Sequence, residues 1–341
     1  MDTSDALLSA PMHNIYFDKS LNAWVLSRHT DVLAAFRCPF LHPAGPRSKL
    51  KTDKLAANNN QRSAMRTETT NALSPAVLHS WQSQMRDIAQ RVLTNFSTSQ
   101  PVDLIDEYAK PVCHWLAIVA TGGSLQLKKA ESLLMLAEAV STAAAEPFDE
   151  SLAARAKAAD EELRKHFHSG PAPLRESGFV ALSQTLPRML ANAWVALIQQ
   201  PSEWRRLHSE PTLISCAVEE LLRYGGLPRI LFRIAGKSID FNGASIQEGD
   251  RLILRLAVAN RDPAHCQSPD LLDITRRPIH HFSLGNGRHS CVGAPLIRMV
   301  LATLTDLLVK RYGKATLYQE IKWRGGSGFR FPNALYVLLR S

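Results

Sequence analysis

Apolar residues along the middle of the chain recur every three to four positions, which is the period of an α-helix. This spacing runs, with breaks, over residues 61–168, and its last part, 153–168, combines alanines with charges on one side, as amphipathic helices do. A longer helical run covers 179–200, and shorter ones cover 202–209 and 212–224. The pattern predicts a mostly helical protein.

After these helices the apolar spacing changes, at two consecutive glycines, Gly225 and Gly226. Short apolar segments separated by Asn-Gly and Gly-Asp turns predict three strands, at 231–234, 238–241 and 251–256. The β part of the fold is therefore expected to be small and to lie in the C-terminal half.

Both ends of the chain carry further element signals. Near the start, the sequence predicts a small hairpin at 15–26, a helix at 30–36 and a long loop at 39–60. Near the end, apolar residues spaced four apart predict a helix at 293–312, with Gly313 as its C-cap. No repeat or linker divides the chain, so we expect one domain over residues 1–341, mainly α with a small β part.

Composition and charge narrow the class of protein without identifying it. The 341 residues are 45% hydrophobic and carry a net charge of +9. The Lys and Arg residues are spread along the chain, so a nucleic-acid partner is not expected. They indicate either a solvated basic surface or a docking face for an acidic protein. The sequence has no export signal and no run of ~18 apolar residues, which predicts a cytoplasmic protein without a membrane segment.

Five cysteines are scattered along the chain, and one has a distinctive setting. No pair forms a C-x-x-C motif, so neither a zinc site nor a disulfide framework is expected. Cys291 lies in a glycine-rich run, 281–293, just before the last predicted helix. Glycines let the backbone approach a flat cofactor, and a helix N-terminus stabilises a thiolate. The run indicates an iron-binding thiolate, although a buried cysteine in a glycine-rich turn would give the same pattern.

The same run resembles the haem-binding loop of the cytochrome P450 superfamily, F-x-x-G-x-x-x-C-x-G. The residues that match its bacterial form are Gly285, Gly287, His289, Cys291 and Gly293. Leu284 takes the place of the phenylalanine, and Phe282 lies two residues earlier. The resemblance implies that Cys291 ligates the iron of haem b and that Leu284, Gly285 and Gly293 contact the cofactor. The leucine is expected to alter haem packing and redox tuning without touching the ligand.

Other segments, between about residues 61 and 337, fit the same family. Glu220 and Arg223 are similar to its E-x-x-R motif, and Arg276 matches the third member of that structural cluster. The resemblance also implies haem-propionate contacts for a set of basic residues, in which an arginine replaces the usual histidine at the first position. These residues are Arg62, Arg66, Arg233 and His289. Arginine binds carboxylates well, so this replacement is compatible with the role.

The oxygen-binding helix of the family, its distal helix, departs from the pattern A-G-x-[DE]-T. Residues 181–185 align with it, so that Thr185 is retained, Leu182 replaces the glycine and Gln184 replaces the acid. An amide cannot serve as a titrating proton relay near neutral pH. Thr185 and Gln184 are nevertheless the expected catalytic residues on the oxygen side. Pro187 could supply a kink and leave the Ser183 carbonyl free, or could simply bend a buried helix.

The resemblance implies a P450-type fold with haem between the distal helix and the C-terminal proximal helix. The expected activity is monooxygenation of a small organic substrate, with a secondary metabolite as one candidate and with electrons from a ferredoxin-type donor. The missing acid leaves open peroxide use without a donor, a non-hydroxylating reaction such as oxidative coupling or rearrangement, and a non-catalytic haem-thiolate sensor. Arg288 and Arg298 would suit an acidic ferredoxin. The bridge at 170–177 is short for the family and predicts an unusual or more open channel over the substrate.

Overall fold

The fold, described from a computed structural model, is built mainly of helices. The structure describes residues 12–43, 66–122, 127–167 and 174–341, apart from the side chains of residues 127–129 and 289. Residues 66–72 are helical. The other α-helices are α1 (His29–Arg37), α2 (Pro75–Thr94), α3 (Lys110–Ala120), α4 (Leu127–Ala145), α5 (Glu150–Phe167), α6 (Glu176–Val180), α7 (Leu186–Ile198), α8 (Pro201–Ser209), α9 (Ile214–Gly225), α10 (Leu256–Ala259) and α11 (Ala294–Arg311).

Short strands form four small sheets at the edges of this helical body. The strands are β1 (Tyr16–Asp18), β2 (Ala23–Leu26), β3 (Leu41–Pro43), β4 (Val102–Asp103), β5 (Leu231–Ala235), β6 (Ile239–Phe241), β7 (Ala244–Ile246), β8 (Arg251–Leu254), β9 (Lys314–Leu317), β10 (Trp323–Gly325), β11 (Arg330–Pro332) and β12 (Tyr336–Arg340). The largest sheet has the order β1-β2-β8-β5-β3, and its β2–β8 pair is parallel. A second sheet, β4-β12-β9, joins the C-terminal strands to the strand before α3.

Helix α7 lies at the centre of the core. Each of its thirteen residues is buried, because neighbouring helices and strands cover it on every side. Trp194 shows how it is held: its ring stacks on Tyr108 at 5.4 Å, and its indole N–H donates to Thr305 on α11. A helix that is buried all round needs apolar residues on all its faces, which explains the almost uninterrupted apolar sequence of this segment.

Most predicted elements are present, with shifts of one to three residues at their ends. The hairpin at 15–26, the helix at 30–36 and the strands after Gly226 are confirmed as β1–β2, α1, and β5, β6 and β8. Gly313 as a C-cap is wrong, because α11 ends at Arg311 and its C-cap is Tyr312, whose extended backbone (φ −126°, ψ 107°) leads through Gly313 into β9. The predicted loop at 39–60 contains β3, and its residues from 44 onward lie outside the described ranges.

The described part of the chain has no helix of the length and apolarity that crossing a membrane requires.

Candidate functional site

A cavity of about 860 Å³ lies between the predicted distal helix and the Cys291 loop. The distal wall consists of residues that recur on one helix face: Ala181, Leu182, Thr185, Leu186 and Met189. The opposite wall is the loop and the start of α11: Leu284, Gly285, Cys291, Val292, Gly293, Leu296 and Ile297. Two segments that are far apart in sequence therefore face each other across an apolar space, and a volume of this size suits a cofactor or a ligand.

The Cys291 loop is held by a short backbone ladder. The Cys291 N–H donates to Leu284 O at 2.7 Å, and the Gly285 N–H donates to Phe282 O at 2.8 Å. Gly285 has φ +70°, a conformation that favours glycine, so this glycine is needed to turn the chain toward the cysteine. Beneath the loop, Asn260 accepts from the Phe282 N–H at 2.7 Å and donates to the Ser283 hydroxyl at 3.0 Å. The cysteine is thus presented by a fixed loop.

The Cys291 thiol is exposed to the cavity, and its surroundings shift its pKa in opposite directions. Burial of the loop raises the pKa of the thiol, while the Gly293 N–H and the guanidinium groups of Arg66 and Arg298 lower it. Burial prevails, so the pKa of Cys291 is above its usual value. The stabilisation expected from the helix N-terminus is present through the Gly293 N–H, but burial outweighs it. A bound metal ion would favour the thiolate, because coordination removes the proton.

The predicted Glu220 cluster is assembled as the resemblance implied. Glu220 is fully buried and binds Arg223 through two contacts of 2.7 Å, and Arg276 lies 3.1 Å from its Oε1. Arg223 also donates to the carbonyls of Asn260 and Pro269. The cluster ties α9 to the segment that leads into the Cys291 loop, so its role is structural.

Only some of the predicted propionate contacts can be placed. Arg66 donates to the backbone carbonyl of Ser290 at 2.5 Å and to its hydroxyl at 3.0 Å, directly beside Cys291. Arg233 is buried on β5, with its guanidinium carbon 5.2 Å from the centre of the Phe36 ring. It is two residues from Leu231, a wall residue, and so projects from the same face of the strand. Arg62 and the side chain of His289 lie outside the described residues.

The distal helix is interrupted by a π-helical turn at its expected functional position. The turn spans Ala181–Thr185, and the Leu186 N–H donates to Ala181 O, five residues back. Pro187 follows, and because proline has no N–H, regular α-helical bonding cannot continue through this point. Thr185 lines the cavity, and Leu182 fills wall space where the family has glycine. The sequence predicted a disturbance at Pro187 but not its form.

Gln184 does not line the cavity. Its amide nitrogen lies 3.4 Å from Leu134 O on α4, so the side chain packs between helices, and the prediction that it faces the oxygen side is corrected. The backbone of Ser183 meets another neighbour, helix α3. There His114 is hydrogen-bonded to the Ser183 backbone, and its pKa is lowered by burial and by Lys110. The cavity wall therefore contains only Thr185 of the two predicted catalytic residues.

Arg188 is a buried cation in the distal helix that sequence reasoning missed. It donates to the Ser141 hydroxyl and forms an ion pair with Glu138 at 2.9 Å, both on α4. Its guanidinium also lies 4.1 Å from the centre of the Phe331 ring. Burial lowers its pKa, opposed by Glu138. An arginine in an otherwise apolar run was the available signal, since such residues are seldom buried unless they are paired.

Charged residues surround the outer end of the cavity. Two ion pairs lie there, Arg175–Glu68 at 3.5 Å and Arg164–Glu176 at 3.8 Å, and all four residues line the cavity. They connect α5, residues 66–72 and the start of α6, which are the elements on either side of the short bridge predicted to roof the substrate. Residues 170–173 of that bridge lie outside the described ranges.

Behind the cavity wall, Phe282 packs on an unusual histidine. Its ring lies 4.5 Å from His29, which in turn stacks on His265 at 4.2 Å. His29 is 5% exposed, and neither of its ring nitrogens has a hydrogen-bond partner within the described part of the chain. Burial and the neighbouring His265 lower the pKa of His29 to about 4. This ring therefore supports the Cys291 loop only in its neutral form.

On the far side of the loop, Arg298 is not a free surface cation. It binds Glu219 through two contacts of 2.6 and 2.9 Å. Burial of the Glu219 carboxyl opposes its ionisation, but His281 and Arg298 hold its pKa down, at about 2. Arg288, by contrast, is exposed and donates only to the backbone carbonyls of Pro39 and Cys38 among the described contacts. The predicted basic docking face is accordingly weaker than the sequence indicated.

Comparison with known proteins places this site in a family. No family model matches the chain. It is 36% identical over 159 residues to the biotin biosynthesis cytochrome P450 of Bacillus subtilis, covering 46% of this chain and 40% of that protein. It is 28% identical over 266 residues to the putative cytochrome P450 YjiB of the same organism, covering 69% and 67%. It is 25% identical to the polyketide biosynthesis cytochrome P450 PksS, also from B. subtilis, covering 95% and 90%.

Solved structures share the fold over nearly the whole chain. P450BioI, solved in complex with an acyl carrier protein carrying hexadec-9Z-enoic acid, has a TM-score of 0.84 at 23% identity, with full coverage of both chains. CYP164A2 of Mycobacterium smegmatis has a TM-score of 0.84 at 21% identity, covering 95% of this chain and 93% of that one. The fold and the curated relatives agree: the chain belongs to the cytochrome P450 superfamily, a class of oxidoreductases with haem b as cofactor.

The residues of the cavity fit this cofactor. Cys291 presents a sulfur to a space that is otherwise lined mostly by aliphatic side chains, and this sulfur would hold the haem iron. Leu182 and Leu186 would contact one face of the ring, and Leu284 the other. Arg66, beside Ser290, is the described cation nearest to where a propionate could be held. When bound, the haem supplies the iron that activates oxygen or peroxide.

Proposed function

We propose that the protein is a haem-thiolate monooxygenase that oxidises a small, largely apolar organic substrate. The observation that carries the proposal is the placement of Cys291 and Thr185 on opposite walls of one apolar cavity. A thiolate ligand donates electron density to iron and favours cleavage of an O–O bond. A threonine hydroxyl on the other wall can hold a hydrogen bond where oxygen binds.

The wall composition supports the substrate class. Leu73, Leu174, Met189, Leu231 and Leu256 surround the space away from the cysteine, and the charged residues lie at its outer end. An apolar substrate of modest size is favoured by such a surface, because its burial removes apolar area from water. The names of two relatives, a polyketide biosynthesis enzyme and a mycinamicin IV hydroxylase/epoxidase, support a secondary-metabolite substrate.

The source of electrons and protons is a second part of the proposal. Gln184 occupies the place of the family's acid and is turned toward α4, so no carboxylate side chain of the distal helix is placed to relay protons from that position. This observation favours peroxide as an alternative oxidant, since peroxide brings its own protons and electrons. With dioxygen, a ferredoxin-type donor would be required. Of the two cations predicted to dock it, Arg298 and Arg288, Arg288 is the one without a carboxylate partner among the described contacts. A cytoplasmic location stays a prediction.

The first test is the absorption spectrum of the reduced protein with carbon monoxide. A strongly red-shifted Soret band that Cys291→Ala abolishes is the expected result. The absence of haem in protein produced with ample haem would overturn the proposal. A haem spectrum without the red shift would reject Cys291 as a thiolate ligand.

The second test separates the oxidants. Aliphatic probe molecules would be incubated with the enzyme and either a ferredoxin with its reductase or hydrogen peroxide, with Thr185→Ala and Gln184→Ala as matched variants. We expect Thr185→Ala to impair product formation and Gln184→Ala to leave it nearly unchanged, because only Thr185 reaches the cavity. Equal losses in both variants would contradict the assignment, and no product with either oxidant would favour the non-catalytic sensor.

A further inference from the structure

A chain of three charged or polar side chains lies beneath the Cys291 loop and is not explained by haem binding alone. It begins with Arg298 on α11, whose Nε and Nη2 donate to the two carboxylate oxygens of Glu219 on α9, at 2.6 and 2.9 Å. This two-pronged geometry fixes both side chains and is stronger than a single contact.

His281 holds the other side of the same carboxylate. Its Nδ1 accepts from the Ser283 N–H at 3.2 Å, so the neutral ring carries its proton on Nε2. That Nε2 lies 3.3 Å from Glu219 Oε2, at ion-pair distance though without the alignment of a hydrogen bond. The His281 side chain is 3% exposed, so Glu219 is held between a buried ring and an arginine.

Arg298 connects this chain to the sulfur. It lies in the second turn of α11, the helix whose first residue, Ala294, follows Cys291 by three positions. Long side chains on a helix lean toward its N-terminus, which brings the guanidinium back toward the cysteine. The two groups influence each other: Arg298 lowers the pKa of the thiol, and the thiolate charge raises the pKa of Arg298.

We propose that Glu219, fixed by His281, compensates the charge of Arg298 and thereby sets how much electron density Cys291 offers to the iron. Glu219 and His281 act as positioning residues, since neither touches the cavity. The inference rests on the proposed haem-thiolate function. A positive charge near the thiolate favours the reduced, more negative state of the iron–sulfur unit, so compensating that charge keeps the reduction potential low.

The experiment is a measurement of the haem reduction potential by spectroelectrochemistry on the haem-loaded enzyme. Glu219→Gln leaves Arg298 uncompensated and should raise the potential, by up to about 59 mV for a tenfold change in the one-electron equilibrium. Arg298→Gln leaves the Glu219 charge uncompensated and should lower the potential, and the double variant, which removes both charges, should return close to the wild-type value. Glu219→Asp retains the charge and should restore most of the wild-type potential.

A matched control tests for a general charge effect. Asp306→Asn also removes one carboxylate partner from a cation, Lys310 on the same helix, but fifteen residues from Cys291. If Asp306→Asn raises the potential as much as Glu219→Gln, or if Glu219→Gln leaves it unchanged, the proposal is overturned. A double variant whose potential stays as high as that of Glu219→Gln would likewise overturn it, because Arg298 would then not be the charge that Glu219 compensates.

The carbon monoxide spectrum separates this inference from the proposed function. Every variant must show the red-shifted band before its potential is compared. A wild-type protein without that band rejects the proposed function, whereas intact bands with equal potentials reject only the role of Glu219. Should Glu219→Gln fail to fold, Glu219→Asp and Arg298→Gln still decide the matter: equal potentials in both and the wild type would contradict it.

Discussion

Acidification should weaken the fold at one identifiable position, His29. The ring is buried against His265 and Phe282, and its pKa is about 4 in the folded protein. In the unfolded chain the ordinary pKa of about 6.5 applies. Between about pH 4 and pH 6.5 the unfolded state therefore binds a proton at His29 that the folded state does not bind. Stability from the neutral ring is fully present above about pH 6.5 and is lost as the pH falls toward 4.

The size of the effect follows from the same two values. A pKa lowered from 6.5 to about 4 corresponds to about 3 kcal/mol over the whole window, of which about 2 kcal/mol is lost by pH 5. The groups that face this ring are His265, His280 and Asp262; the first two oppose its protonation, and Asp262 favours it. The loss is substantial, because domains are typically stable by only about 5–15 kcal/mol.

Urea unfolding at pH 7.5, 6 and 5 would measure this loss, followed by tryptophan fluorescence and by release of the haem band. His29→Phe keeps a ring against Phe282 and removes the titration, so it should lose about 2 kcal/mol less than the wild type between pH 7.5 and 5. Retention of the haem at pH 5 should improve in parallel. If the variant and the wild type lose the same stability, another group controls the acid response and the reasoning about His29 fails.

Three further changes test other parts of the structure. Glu220→Gln leaves Arg223 buried without its counter-charge and should cost about 3–5 kcal/mol in urea unfolding. Gly226→Ala places a Cβ 2.1 Å from Ser283 Oγ, which should destabilise the protein by about 1–3 kcal/mol and lower haem retention. Arg175→Gln breaks an exposed pair at the cavity mouth and should speed binding of a bulky azole by up to about fivefold in stopped-flow absorbance.

The two stability predictions, for Glu220→Gln and Gly226→Ala, have matched controls in the same chain. Gly243→Ala meets nothing within 4 Å and should cost only the ~1–2 kcal/mol of its φ of +83°, without loss of haem. Equal haem loss in both glycine variants would show that the contact with Ser283 is unimportant. Asp306→Asn should cost under about 1 kcal/mol, and a similar loss for Glu220→Gln would mean that its burial has little energetic effect. If Arg175→Gln leaves the rate of azole binding unchanged, the entry route lies elsewhere.

The sequence was sufficient for the proximal half of the site because its signals are local. The glycines and Cys291 lie within a few residues of one another, and Gly285 and Gly287 adopt the positive φ that glycine favours. The Glu220 cluster was also predictable, since Glu220 and Arg223 share a helix face and only Arg276 had to be brought in by the fold. Helix and strand positions followed from apolar spacing, with shifts at the ends.

The distal half of the site could not be predicted because it depends on packing between helices, which the spacing of residues along the chain does not encode. Gln184 and Ser183 are adjacent in the π-helical turn, yet the Gln184 side chain meets α4 and the Ser183 backbone meets α3. Strands β9–β12 were missed because each is only three to five residues long, and β12 also pairs with β4, which is distant in sequence. The stacked His29–His265 pair joins residues far apart along the chain, so no local pattern could indicate it.

The ion pair of Arg188 with Glu138 joins the distal helix to its neighbour α4. The guanidinium is buried and also contacts Ser141 and Phe331, so separating these two helices would remove the partners of a buried cation. The pairs of Arg164 and Arg175 at the mouth are exposed and longer, and solvent weakens them. We therefore expect any opening of the cavity to occur at its outer rim rather than by separation of α4 from the distal helix.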